Sequence, residues 1–173
     1  MSYQTIQGTN TFIMENVLIP TDFTLASLRP IALLAEALPD REFAVTLFHP
    51  FRMPSDIRSL LFLQKSIPVS QIFGDELRAE CRRLKQQYGQ TIASINFKPL
   101  YGTTKATMSL FIEGNEIDIL LYDDRYTYII PHQYSEKIAD CIKLVTVQIL
   151  AASQLRKKKV PAPSVLLFKE LTV

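Results

Sequence analysis

Cysteine and histidine are scarce in this chain of 173 residues, with two of each. Cys81 and Cys141 sit among apolar neighbours on helical patterns, and His49 and His132 stand alone. No His/Cys group has the spacing of a zinc site, and nothing asks for a disulfide. The two thiols are expected to be free and buried in a reducing compartment. Charge of one sign is not in excess either. The net +2 is too small to mark a nucleic-acid surface. No apolar run reaches the length of a membrane span. The start, MSYQTIQGTNTF, lacks the basic and apolar regions of a signal peptide, so a soluble cytoplasmic protein is expected. Glycine is limited to Gly8, Gly74, Gly89, Gly102 and Gly114, all far apart.

What is present is a globular composition, 47% apolar and 21% charged, in a length suited to one domain. The expected domain spans 1–173, with its core at about 16–170 and a flexible N-terminus at 1–13. NVLIP (16–20) reads as a buried strand, and LASLRPIALLAEAL (25–38) as a helix with Leu28, Ile31, Ala35 and Leu38 on one face. Ser27 as N-cap would put Pro30 in the first turn, where proline is tolerated. FAVTLFH (43–49) is a second strand. Residues 50–73 are punctuated by three prolines, and Ser55 or Asp56 could cap a short helix there. A connection this long suits a lid, a partner surface or a cover for one end of the sheet.

DELRAECRRLKQQYG (75–89) is amphipathic, with acids first and cations later. TIASINFKPLY (91–101) is a third strand. Thr103 or Thr104 opens a helix at 105–115. IDILLYD (117–123) is the fourth strand. Residues 135–159 read as one long helix through Ile138, Ile142, Val145 and Ile149, and PSVLLFKEL (163–171) as the last strand. RKKK (156–159) is a solvated helix end, complementary to the dipole. Short apolar strands alternating with helices predict an α/β fold: a doubly wound three-layer sandwich around a parallel sheet.

In such sheets ligands sit beyond the carboxyl ends of the strands, where strand order reverses. The sequence delivers Thr21 and Asp22 after strand one, His49 after strand two, Gly102 after strand three, and Asp123, Asp124 and Arg125 after strand four. Carboxylates gathered there need a cation, and Arg125 is the nearest in sequence. Arg125 is therefore expected to pair with Asp22 or a neighbouring acid and to plug the crevice.

NVLIPTDFTLASLRPIALLAEAL followed by VTLFHPF resembles the opening of the universal stress protein family, and IDILLYD and APSVLLF resemble its fourth and last strands. The resemblance spans about 16–170. It implies a five-stranded sheet in order 3-2-1-4-5 and a homodimer built through the last strand, here 161–171. An apolar edge strand at that position would also invite antiparallel pairing with a second copy.

One branch of that family binds ATP through G-x-x-G-x9-G-[ST] after strand four, because only glycine allows such close backbone approach to phosphate. Here the glycine positions fall on Asp123, Tyr126 and about Tyr134. Ser135 stands near the Ser/Thr place, with spacing about two residues short. Two carboxylates ~5 Å from a phosphate would each cost about 1–3 kcal/mol. ATP is therefore disfavoured and no cofactor is expected. Thr21, Asp22, Asp123, Arg125 and Ser135 form the candidate vestigial nucleotide pocket. Asp22 matches the acid beside the nucleoside in that branch, and its alternative role is a cap or dipole partner for the first helix.

Two catalytic readings compete. A phosphoryl receiver would use the aspartate after an apolar strand, with Lys169 in support, but it needs an acid pair after strand one, where only Asp22 stands. A Mg²⁺-dependent hydrolase would gather Asp22, Asp123 and Asp124 with His49 or His132, but no nucleophile–base pair with a supporting third residue is visible. The expectation is a binding protein, not an enzyme, with no resident metal. Residues 122–134 mix aromatic, charged and apolar side chains in a way that suits a protein partner or planar ligand. Neither nucleic acid nor membrane is an expected partner.

Overall fold

The computed structural model describes residues 14–157. A five-stranded sheet runs in the order β3-β2-β1-β4-β5, and all its pairings are parallel. The strands are β1 (Glu15–Pro20), β2 (Phe43–Phe51), β3 (Ile92–Tyr101), β4 (Ile119–Tyr122) and β5 (Gln148–Ala151). Period-two alternation divides the core into two layers. Val17, Ile19, Val45 and Leu47 face one side with Leu121; Leu18, Phe48 and Leu120 face the other.

The first layer is closed by α1 (Arg29–Ala37) through Ile31, Leu34 and Ala35, by α5 (Asp75–Gln87) through Leu77, Cys81 and Leu84, and by α8 (Ala152–Lys157) through Ala152 and Leu155. The second is closed by α6 (Lys105–Gly114) through Met108 and Ile112 and by α7 (Ile138–Ile142) through Cys141. Both free cysteines are thus core residues, and burial pushes their thiols up to about 11 and about 12.

The caps differ in part from the sequence reading. A 3-10 turn, Leu25–Leu28, precedes α1, and its cap is Thr24, whose side chain accepts from Ser27 N–H. Ser27 is not the cap; its hydroxyl is buried and turned to Thr24 O and Thr21 Oγ1. Pro30 still lies in the first turn of α1. Thr104 caps α6 in a reciprocal pair with Thr107. The 50–73 connection holds α2 (Ile57–Leu61), capped by Asp56, then α3 (Leu63–Ser66) and α4 (Val69–Ile72).

The fifth strand is the main correction. The expected single helix over 135–159 is broken: α7 stops at Ile142, β5 occupies Gln148–Ala151 and α8 follows. Val145, Thr146 and Val147 are β-branched and resist helix, so the run reaching β5 leaves helical geometry. Ile138, Ile142, Val145 and Ile149 share a helical spacing by coincidence, and Ile149 is exposed. Residues 163–171, expected to be the last strand, lie outside the described residues, as does the 1–13 segment. Among the described residues, no helix is long and apolar enough to cross a membrane.

Candidate functional site

β1 and β4 are neighbours, paired Val17↔Ile119 and Leu18↔Leu120, while β2 leaves on the other side of β1. Strand order therefore reverses between β1 and β4, and Thr21–Asp22 and Asp123 leave the carboxyl ends of these two strands. All three are buried. The chain turns sharply after Asp22. Phe23 has a φ of 65°, an unusual conformation for a bulky residue. Thr21 Oγ1 holds this turn by accepting from Phe23 N–H at 3.0 Å. The Phe23 ring packs 4.7 Å from the His49 ring and 5.4 Å from Phe97.

Asp22 is 1% exposed and lies at the centre of the site. Its Oδ1 accepts from Thr24 N–H at 3.2 Å and lies 2.6 Å from Thr24 Oγ1. Its Oδ2 accepts from Ile129 N–H at 2.9 Å and lies 2.8 Å from Tyr126 Oη. The two hydroxyls are themselves 2.7 Å apart, so two protons serve three short contacts. Burial raises the Asp22 pKa, but the bonds from Thr24, Ile129 and Tyr126 outweigh it and hold the carboxyl below its ordinary value. The residue makes an Asx-type turn and ties down a distant loop; it is not a cap for α1.

That loop, 123–136, folds back over the strand ends. Tyr126 and Tyr128 meet edge to face at 5.0 Å. Tyr128 Oη accepts from Asp123 N–H at 3.1 Å. Burial first, then Asp123 and Asp22, push the Tyr128 phenol well above its ordinary range. Both carboxylates thus act on one phenol, as expected for groups at adjoining strand ends. Asp123 Oδ1 accepts from Arg125 N–H at 3.1 Å, while its buried Oδ2 has no partner among the described residues. Asp124 is exposed and accepts from Ser153 N–H at 3.0 Å in the first turn of α8. Hydrogen bonding from the Ser153 hydroxyl first, and from its N–H second, lowers the Asp124 pKa.

The expected Arg125 plug is not formed. Arg125 is exposed, and among the described residues its guanidinium makes no ion pair within 4.0 Å. Only its backbone N–H meets a carboxylate. Asp22 is satisfied by amides and hydroxyls, which compensate a buried charge without burying a second one. The residues that reach into the crevice are Tyr126, Tyr128 and, through its backbone N–H alone, Ile129; the sequence places them in the 122–134 contact surface but not in the nucleotide pocket.

Ser135 and His49 are brought together. His49 Nε2 lies 2.8 Å from Ser135 Oγ, and His49 Nδ1 lies 2.6 Å from Thr21 O. A carbonyl can only accept, so Nδ1 carries the proton and Nε2 accepts from the serine. This is the nucleophile–base–orienter geometry that the sequence does not reveal, since its members are 86 and 28 positions apart. Burial lowers the His49 pKa to about 4, against smaller raising effects of Thr21 and Asp22. The orienting group is a neutral carbonyl, so little is on hand to stabilise an imidazolium. Ser135 and Glu136 also spend their N–H groups on His132 O and Pro50 O, both at 2.9 Å. His132 accepts from Tyr134 N–H through Nδ1 at 3.2 Å. Among the described residues, no group of three or more His, Cys, Asp or Glu is placed to hold a metal. Asp22 has both oxygens engaged by the protein.

No family model matches the chain, and no curated protein matches it. Among solved structures it is similar to the universal stress protein UspA from Lactobacillus plantarum, at 12% identity and TM-score 0.48 over 79% of this chain and 96% of that one. It is also similar to a universal stress protein in complex with cAMP, at 14% identity and TM-score 0.45 over 79% and 95% of the two chains. A third similar structure is a universal stress family protein from Burkholderia pseudomallei, at 10% identity and TM-score 0.44 over 79% and 94%. Likeness at this level carries no functional argument, and the fold rests on the strand pairings themselves.

Proposed function

We propose that the chain is a universal-stress-protein-like binding or signalling protein, homodimeric and not ATP-binding, whose ligand crevice is filled by its own loop. The observation that carries this reading is the engagement of Asp22 by Tyr126 and Ile129 at the point where strand order reverses. The loop thus engages the carboxylate that a nucleoside would lie beside if this chain followed the ATP-binding branch. No glycine follows β4 to cradle phosphate.

The outer surface of the same loop offers Ile129 and Ile130, 53% and 54% exposed, beside Tyr126 and Arg125. That combination supports residues 122–134 as a contact surface for a protein partner. Dimerisation is proposed through 161–171, which lie outside the described residues; among the described residues β5 pairs only with β4, and its Ile149 is 41% exposed. Native mass spectrometry of freshly purified protein, with and without Mg-ATP, tests the reading. A dimer that retains no nucleotide is expected. A monomer at tens of micromolar, or ATP retained at micromolar concentration, overturns it.

A second reading rests on Ser135 and His49. Their 2.8 Å contact is compatible with a serine hydrolase. A fluorophosphonate probe distinguishes the two. The binding reading expects no labelling at neutral pH, whereas labelling abolished by Ser135→Ala establishes a nucleophile.

A further inference from the structure

An open groove of about 480 Å³ runs between α5 and the edge strand β3, on the face of the sheet away from α6. Its volume lies in the range of small-molecule sites, about 300–1,000 Å³. Its floor is apolar. Phe73 and Phe97 stack at 4.8 Å, and Ile95 continues the floor along β3. Its rim is cationic: among the described residues Arg78, Arg82 and Lys85 line it and no carboxylate does.

The three cations are not equally engaged. Arg78 donates to Ser70 O at 2.9 Å, stacks over Phe73 and approaches Asp75 at 3.7 Å. Lys85 donates to Ile92 O at 2.6 Å, which brings its ammonium to the strand edge with two further donors. Arg82 has no carboxylate partner within 4.0 Å among the described residues. Its neighbour Arg83, outside the groove lining, is held by both oxygens of Glu80 at 2.6 and 2.8 Å and by Gln87. Of the groove-lining cations, Arg82 is thus the one with no protein partner among the described residues, whereas Arg78 shares Asp75 and Lys85 is tied to the strand edge.

We propose that this groove binds an amphiphilic carboxylate. Its apolar body lies on Phe73, Ile95 and Phe97, and its head is held by Arg82 and Lys85. A guanidinium matches a carboxylate in a planar fork, and an aromatic floor accepts a chain or ring without demanding hydrogen bonds. The site is on the far side of β2 from the β1/β4 crevice; Phe73 and Phe97 of its floor pack against Phe23, but none of the residues that engage Asp22 or Asp123 lines it, so it does not depend on the function proposed above.

The test is amide NMR titration of the full chain with laurate below its micellar concentration. Arg82→Glu and the distant exposed Lys143→Glu serve as variants, and dodecanol as the uncharged analogue. Saturable shifts confined to 73–86 and 92–98 are expected. Arg82→Glu should weaken laurate about tenfold or more, while Lys143→Glu stays within about twofold. Dodecanol should bind about tenfold more weakly than laurate. Absence of saturation, equal losses in the two variants, or shifts centred on the exposed apolar residues 57–62 overturns the proposal. Failure of laurate alongside binding of an acidic extended peptide to the β3 edge also overturns it, in favour of strand addition.

Discussion

Replacing Asp22 with alanine removes the acceptor that fastens the 123–136 loop to the end of β1. Three donors lose their partner: Thr24 N–H, Ile129 N–H and a hydroxyl proton from Tyr126 or Thr24. A donor left unpaired in a fully dry site costs about 1–3 kcal/mol. These donors are half-buried and can partly recover water, so the low end applies to each. Removing a buried charge returns some desolvation energy. The net expected loss is about 2–4 kcal/mol. Asp22→Asn keeps one acceptor oxygen but turns an amino group toward other donors, and should fall between wild type and alanine.

Urea unfolding at neutral pH gives the magnitude, and amide exchange at Ile129 and Tyr126 gives the location. The Asp22 pKa is depressed in the folded state, so its contribution is present above the ordinary value of 3.8 and is lost as pH falls below it. The gap between wild type and Asp22→Asn should therefore narrow as pH falls below 3.8. An Asp22→Ala protein within about 0.5 kcal/mol of wild type, with unchanged exchange at Ile129, refutes the claim that this carboxylate fastens the loop.

Three further outcomes follow from the same site. Arg125→Ala should change stability by less than about 0.5 kcal/mol in urea unfolding, because its guanidinium is exposed and unpaired among the described residues. Asp123→Asn should be neutral or stabilising by about 1 kcal/mol in the same assay, since the buried Oδ2 has no partner to lose. His49 has its pKa lowered from 6.5 to about 4, so the unfolded chain binds the extra proton between those values. Stability should be fully present above pH 6.5 and decline by about 2–3 kcal/mol on the way to pH 4, and a His49→Gln variant should flatten that slope.

The layered α/β architecture was legible because each early element carries its own signal. NVLIP and FAVTLFH are apolar and rich in β-formers, and the stripe of Leu77, Cys81 and Leu84 has helical period. The fifth strand was not legible. QILA is four residues long, and its apolar positions continue the period of the helix before it, so only pairing with β4 separates the two readings. At the site, residue positions were recoverable from topology: Thr21, Asp22 and Asp123 lie at the strand ends, and Ser135 joins them through His49. Their partners were not recoverable. The Asp22–Tyr126 bond closes a loop of 104 positions, and the choice between Tyr126 and Arg125 turns on which side chain reaches inward from adjacent exposed turns. Charge arithmetic favoured arginine, but hydrogen bonding satisfies the carboxylate at a smaller desolvation cost.

The loop also changes what a negative result with ATP would mean. A ligand that enters between the ends of β1 and β4 must first move Tyr126, Tyr128 and Ile129 off Asp22 and Asp123. If closure is worth the about 2–4 kcal/mol worked out above, the open form is populated at about 3% to 0.1%, and any intrinsic affinity is reduced by about 30- to 1,000-fold. A site with intrinsic micromolar affinity would then appear about 30 micromolar to millimolar. Opening the loop by Asp22→Ala would remove this penalty but also delete a buried carboxylate at the mouth of the crevice. Tyr126→Phe is the cleaner probe: it deletes one hydroxyl, keeps the carboxylate and leaves the ring in place. If the occupied crevice alone excludes nucleotide, Tyr126→Phe should strengthen ATP binding several-fold in calorimetry. If the missing glycine cradle and the acids at 123 and 124 are what exclude it, opening the loop should leave binding undetectable. The second outcome is expected, because no loop motion supplies the backbone amides that a triphosphate requires.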